Sequence, residues 1–386
     1  MTITFVSNYL TIHQIPFCEA MYREMGDNFR FVNTEPMETE RISMGWSNEK
    51  RYPFEIDLQQ AGNLIDESDI VIIGSAHDSL IQYRLQNNKP VIRYSERILK
   101  DGRWHMLSPR AIKNMLKAHT KYTSKRIWML CASAYAAGDY GLFGAYWGKS
   151  YKWGYFPKTI CCSEEQLFEK KNNNVVHILW CGRMLSWKHP ELAVLAAKHL
   201  HENRIPFHMD IIGDGELKTE IHSQIMEHHL EETVTMHGFL APDQVRSYMD
   251  RANIFLFTSD FHEGWGAVLN EAMNSGCACV ASHAIGSAPY LVHDGKNGFL
   301  YRNGDIQQLC NLVETLAMNE ALCRALGLNA YHTIADTWNA DIAAKRLIAF
   351  CKAIKHQEKV PEYQDGPVSK AGFLSNHWYH KGRRDI

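Results

Sequence analysis

Nowhere in the 386 residues does an apolar run approach the roughly 18 residues that a membrane-spanning helix needs. The opening stretch, Met1 to Asn8, also lacks a basic region followed by an apolar one. The expectation is a cytoplasmic chain, neither exported nor membrane-spanning, with peripheral contact at the inner face of a membrane left open. An excess of positive charge is missing too. A formal net charge of -2 argues against nucleic acid as a partner, because such a surface must be basic. The metal signatures C-x-x-C, H-E-x-x-H and D-x-D are all absent. The densest histidine group, His222, His228 and His229, falls on a polar helical pattern without convergent ligand spacing. No metal site is expected. Ten cysteines are scattered, Cys161 and Cys162 are adjacent, and Cys131, Cys181 and Cys279 sit inside apolar strand-like runs. Buried reduced thiols fit that pattern better than a disulfide framework.

What is present is an ordinary globular composition, 45% hydrophobic and 22% charged, on a chain too long for one core. Short β-rich runs alternate with longer helical patterns, which predicts parallel sheets covered by helices. The strand candidates are 3–7, 29–33, 70–74, 91–94 and 127–131, then 177–181, 208–212, 234–237, 254–258 and 278–281. Helices are expected over 191–201, 217–229, 242–251 and 267–275. The fold class is therefore α/β, with two doubly wound domains. Polar residues around Lys170 to Asn174 interrupt the apolar pattern, so the join is placed near Asn173, giving domains 1–172 and 173–340. The remainder, 341–386, reads as a helix to about His356 that packs back on the first domain, then a loosely ordered tail with a basic end, Lys381, Arg383 and Arg384.

In an open parallel sheet, ligands bind beyond the carboxyl ends of the strands. The second half has informative residues there: Gly182-Arg183 with Lys188, then Gly213-Asp214-Gly215, Gly238-Phe239, and Glu263-Gly264-Trp265-Gly266-Ala267-Val268 leading to Glu271. Arg183 and Lys188 suit a diphosphate, one as a bidentate fork and the other as a point charge. Surface charges at a helix entrance are the alternative. The glycines at 264 and 266 let backbone N–H groups approach phosphate or sugar oxygens. Glu263 can accept from sugar hydroxyls and Glu271 from a ribose, some 12 Å apart if the eight-residue step from one to the other is helical. The plainer readings are a first-turn charge and a helix-surface carboxylate.

Taken in order, these elements, with His237-Gly238-Phe239, Asn270-Glu271-Ala272-Met273, Gly276, Asp294-Gly295 and Gly298-Phe299, resemble the donor domain of glycosyltransferase family 4. The resemblance implies a GT-B fold, in which two Rossmann-like domains face each other across a cleft, and retaining transfer from a nucleotide sugar, UDP- or GDP-linked, without a further cofactor or metal. It implies that Arg183 and Lys188 bind the diphosphate, Glu271 the ribose, Glu263 and the 264–267 backbone the sugar, and Gly238 and Phe239 the nucleobase, with Gly182, Gly213, Asp214, Gly215 and Val268 among the donor-binding positions. The acceptor, a glycan or a lipid-linked sugar, would sit on the first domain. There the match is weaker. Ser7-Asn8-Tyr9-Leu10 replaces a glycine-rich turn, Tyr94-Ser95-Glu96 stands where many members have a histidine, and Pro289-Tyr290 replaces Pro-Glu. His77 is the candidate substitute histidine, the alternative being a merely exposed loop residue. Segments such as Gln14-Ile15-Pro16-Phe17 and Arg93-Tyr94-Ser95-Glu96-Arg97 are similar to transferases of bacterial capsule and exopolysaccharide synthesis. A catalytically silent nucleotide-sugar binder and an epimerase are the competing functions. The dense aromatics from Tyr140 to Phe156 suit packing between the domains or an acceptor platform.

Overall fold

The computed structural model describes residues 1–43, 51–102, 108–171 and 175–379. The join expected near Asn173 and the basic end Lys381, Arg383 and Arg384 lie outside the described residues. By internal contacts the chain forms two compact units, one of Met1–Lys158 with Trp338–Ser375, the other of Thr159–Thr337 with the segment from Asn376.

In the first unit the strands are β1 Ile3–Ser7, β2 Phe29–Asn33, β3 Glu55–Asp57, β4 Ile70–Ile73, β5 Val91–Ser95, β6 Ile127–Cys131 and β7 Ser150–Lys152. They form one parallel sheet in the order β3-β2-β1-β4-β5-β6-β7. Runs such as Ile-Val-Ile-Ile in β4 are buried along their whole length, as expected where helices cover both faces. The two strands not anticipated, β3 and β7, are three residues each and lie at the sheet edges, where a short polar segment pairs without an apolar signature. In the second unit β8 Val176–Cys181, β9 Phe207–Ile212, β10 Val234–Gly238, β11 Ile254–Phe257, β12 Ala278–Ser282 and β13 Phe299–Tyr301 run parallel in the order β10-β9-β8-β11-β12-β13. Both orders reverse direction once, between β1 and β4 and between β8 and β11, which is the doubly wound arrangement. The core of the second sheet is built from Ile178, Trp180, Met209, Ile211, Leu256 and Val280, roofed by Leu192, Ala196, Leu309 and Val313 of its helices.

The helix Ala340–His356 starts at Asn339, whose side chain accepts from Ile342 N at 2.9 Å. Its apolar stripe, including Ala344, Leu347, Phe350 and Cys351, is buried, and it packs on the helix Ile15–Met25 of the first unit. The segment after it is not loose, contrary to expectation. Lys370 pairs antiparallel with Tyr151 on the β7 edge, Val368 N donates to Lys152 O at 2.8 Å, and Lys152 N donates to Ser369 O at 2.7 Å. Val368 and Ser369 are buried, and Lys152 pairs with Asp365 at 2.7 Å. An exposed strand edge supplies backbone partners that a hydropathy reading does not register. The aromatic segment turns into the first unit itself: Tyr140 and Tyr146 enclose His119, Trp153 and Phe156 pack on Phe17, and Tyr151 meets Phe350. Trp147 alone of that group is mostly exposed.

Candidate functional site

Strands β8 and β11 are sheet neighbours at which the strand order reverses, the switch point at whose carboxyl ends such sheets bind ligands. On one side of it, backbone hydrogen bonds stitch three strand ends together: Gly182 N to Ile212 O at 3.0 Å, Gly213 N to Gly238 O at 2.8 Å, and Met184 N to Asp214 O at 2.8 Å. Gly213 has φ 141°, and a Cβ there would lie 1.8 Å from the carbonyl oxygen of Gly182. Only glycine lets these loops touch, so Gly213 has a packing reason independent of any ligand. The Asp214 carboxylate is held below its ordinary pKa by Lys218, 2.6 Å away, and by Gly215 N. Gly238 and the largely exposed Phe239 end the same edge.

Lys188 closes the turn after β8 and is fixed from beneath. Its carbonyl accepts from Thr258 Oγ1 at 2.7 Å, and Thr258 Oγ1 accepts from the buried Trp180 Nε1 at 2.8 Å, so a chain of bonds joins β8, β11 and the turn. The Lys188 ammonium bonds Glu263 Oε2, lies 4.5 Å from the Trp187 ring centre, and is largely enclosed. Glu263 is buried and also accepts from Ser259 Oγ at 2.9 Å. Two residues given separate roles by the sequence are thus one ion pair. Arg183, by contrast, is exposed, and its side chain makes no ion pair or hydrogen bond among the described residues.

Beside this pair stands a residue that sequence reasoning missed. His189 adopts the left-handed conformation, φ 52° and ψ 55°. Its Nδ1 lies 2.8 Å from Glu191 Oε1 and its Nε2 3.5 Å from Asp260 Oδ2. Asp260 in turn donates its N–H to Trp187 O at 3.0 Å and bonds His262 at 2.8 Å. The bonds to Asp260 and Glu191 push the His189 imidazole up to about 9, against the effect of burial. His189 therefore clasps the loop carrying Lys188 to the loop carrying Glu263. The available sequence signal was Pro190, which disfavours the right-handed helical conformation for the residue before it.

Glu271 lies on the helix Val268–Asn274, whose N-cap is Ala267. Glu263 is in the turn before that helix, so the 12 Å helical separation assumed between the two does not apply. The carboxyl of Glu271 has no hydrogen-bond partner among the described residues, and enclosure by protein pushes it up to about 7, with Arg246 only partly opposing. Burial also pushes the Cys181 thiol at the end of β8 up to about 12, the Glu271 charge adding and Lys188 opposing. Both groups thus act on the same strand end. Gly266, φ 84°, sits where a Cβ would be 2.4 Å from the Phe257 ring. The Trp265 indole is fully buried, donating to Asn270 Oδ1 at 2.9 Å and packing beside Tyr290, so at this position only backbone is left to face a ligand. The 263–265 turn is held by Gly286 N to Glu263 O and Ser287 N to Trp265 O.

His77 belongs to the first unit. It is exposed and caps the turn Asp78–Ile81, with Nδ1 accepting from Ser79 N at 3.2 Å. At the β5 end of the same unit, Glu96 pairs with Lys100 at 2.7 Å and accepts from Tyr155 OH at 2.8 Å. His222 and His229 are exposed, as read from the sequence, and Cys161 is an exposed thiol rather than a buried one. No helix among the described residues is long and apolar enough to cross a membrane.

Residues 163–333 match the family model of glycosyl transferases group 1. The amylovoran biosynthesis glycosyltransferase AmsK of Erwinia amylovora is 30% identical over 193 residues, 48% of this chain and 47% of that protein. The poly(ribitol-phosphate) alpha-N-acetylglucosaminyltransferase of Staphylococcus aureus is 27% identical over 162 residues, 42% of this chain and 32% of that protein. The match therefore spans less than half the length of these relatives. Over 90% of this chain and 98% of the other, the structure is similar to HepE of Anabaena, solved in complex with UDP, at a TM-score of 0.65 and 17% identity. The GT-B class of two Rossmann-like domains is thereby the fold of this chain.

Proposed function

We propose, from the premise that residues 163–333 belong to the glycosyl transferases group 1 family, that this chain moves a sugar from a UDP- or GDP-linked donor to a glycan or lipid-linked acceptor in bacterial surface-polysaccharide synthesis. The observation that carries the reading is the Lys188–Glu263 pair at the β8–β11 switch point, with Arg183 and Glu271 unpaired at the same strand ends. The UDP in the HepE structure and the sugar-transferring relatives support it.

A bound donor exchanges Glu263 for phosphate at Lys188, which frees the carboxylate for sugar hydroxyls. Arg183 grips a second phosphate oxygen, and Glu271, once ionised, accepts from the ribose. As the bond from the anomeric carbon to the phosphate oxygen breaks, negative charge grows on the diphosphate, and the two cations stabilise it more than they stabilised the ester. The acceptor oxygen bonds the anomeric carbon on the face the phosphate leaves, its proton passing to the leaving phosphate oxygen, so configuration is retained. Cations fixed by the protein make a metal unnecessary for this charge.

The test is donor consumption and transfer with UDP- and GDP-sugars in excess chelator, with the product's anomeric configuration read by NMR. Turnover should persist and configuration should be kept. Activity restored only by a divalent ion would reject the metal-free step, inversion would reject retention, and failure to bind or consume any nucleotide sugar would reject the transferase reading.

A further inference from the structure

After Ser375 the chain enters the second unit again, and the short segment 376–379 docks beside β12 and β13. Tyr379 is pinned at two points. Its hydroxyl donates to Leu300 O of β13 at 2.7 Å and accepts at 2.9 Å from Nε2 of Gln308, in the first turn of the helix Ile306–Ala317. Its ring and that of Trp378 pack on the imidazole of His283, with ring centres 5.3 and 6.1 Å away. His283 directly follows β12 and is buried. Its Nδ1 accepts from Asn303 N at 2.9 Å, which places the ring proton on Nε2, 3.3 Å from Asn376 O. Burial holds the imidazole down to about 4, so both bonds belong to the neutral ring.

His283 in turn reaches the donor edge by two routes. Its ring meets Phe261 edge to face at 5.6 Å, and Phe261 lies in the loop between Asp260, which bonds His189, and Glu263. The residues that follow it hold the same turn through backbone, Gly286 N to Glu263 O at 3.2 Å and Ser287 N to Trp265 O at 3.3 Å. We propose that segment 376–379 is a strap that orders the turn carrying Glu263, with Tyr379, His283 and Phe261 as positioning residues for recognition of the donor's sugar. A cover for the edge strand β13 would need only the bond to Leu300. The contacts of His283 with Asn376, Trp378 and Tyr379 tie the strap to the loop after β12 and through it to Glu263. A turn ordered before the ligand arrives spares binding the entropy of ordering it. The inference rests on the reading of Glu263 as the carboxylate that meets the sugar.

The experiment is hydrogen–deuterium exchange of the full chain, followed over residues 259–266, in wild type, Tyr379→Ala, His283→Asn and His283→Gln. Asn at 283 keeps an acceptor for Asn303 N and loses the bond to the strap, whereas Gln places an amide N–H near Asn376 O. Tyr379→Ala and His283→Asn should exchange at least about fivefold faster there, the range for losing one neutral hydrogen bond, and His283→Gln should stay close to wild type. In calorimetry the first two should lose a similar factor in affinity for the nucleotide sugar and keep their affinity for the nucleoside diphosphate alone. Thermal unfolding verifies folding of each variant. Unchanged exchange over 259–266 in both variants, or His283→Gln exchanging as fast as His283→Asn, would overturn the strap. Equal losses for nucleotide and nucleotide sugar would overturn it too, making the segment a support of the whole sheet. A wild type that binds no nucleotide sugar would reject the transferase reading, while the exchange measurement would still decide whether the strap orders the turn.

Discussion

His189 shows what a single residue adds to the donor edge. A non-glycine residue in the left-handed region costs roughly 1 kcal/mol, and here the two carboxylates of Glu191 and Asp260 offset it. The imidazole titrates near 9 in the folded chain, above its ordinary 6.5. A raised histidine pKa contributes stability that is fully present below about 6.5 and lost as pH rises through about 9. His189→Gly removes both the pairing and the backbone cost. Its destabilisation should therefore be clear at pH 6 and shrink toward zero or reverse at pH 10, as followed by the thermal midpoint. The same deficit at both pH values would mean that the imidazole's charge is not what holds the two loops. His189→Gly should also slow transfer through Lys188, by misplacing it rather than by removing a contact with the donor.

The helix Val268–Asn274 carries Glu271 with its carboxyl raised to about 7. The sign is opposite to that of His189. Between about 4.5 and 7 the unfolded chain has given up this proton while the folded chain retains it, so stability falls as pH rises through that window and levels off above it. Glu271→Gln should relieve this: its advantage in unfolding free energy should be absent near pH 4.5 and reach on the order of 1 to 3 kcal/mol by pH 8. A pH-independent difference would show that Glu271 is not held protonated by its surroundings. At this scale much was legible. The core strands β1, β2, β4, β5, β6, β8, β9, β10, β11 and β12 each carried an apolar β-rich run, and their bounds fall within a residue or two of expectation. The short edge strands β3 and β7 did not, since their pairing comes from backbone, and β13, though apolar, is only three residues long. The glycines at 213 and 266 announced close backbone approach, but sequence could not say that the partners were Gly182 and Phe257 as well as any ligand.

Over the whole molecule, the chain returns to its first unit after Thr337, and the segment around Val368 completes the β7 edge, which the polar composition after His356 concealed. The residues proposed to bind the donor, Arg183, Lys188, Glu263 and Glu271, were legible because each lies in the segment after a strand of the second sheet or in the first turn of the next helix. Their pairing was not, since Lys188 and Glu263 are 75 positions apart and meet only through the β8–β11 adjacency. The central claim is that a nucleoside diphosphate displaces Glu263 from Lys188 at this crossing. Calorimetric titration of UDP and GDP into wild type, Arg183→Ala and Lys188→Ala, with folding verified, tests it most directly. One nucleotide should bind wild type and lose at least about tenfold in affinity in each variant, the range for a charge-assisted hydrogen bond. Unchanged affinity in both variants would contradict the account and move the diphosphate elsewhere.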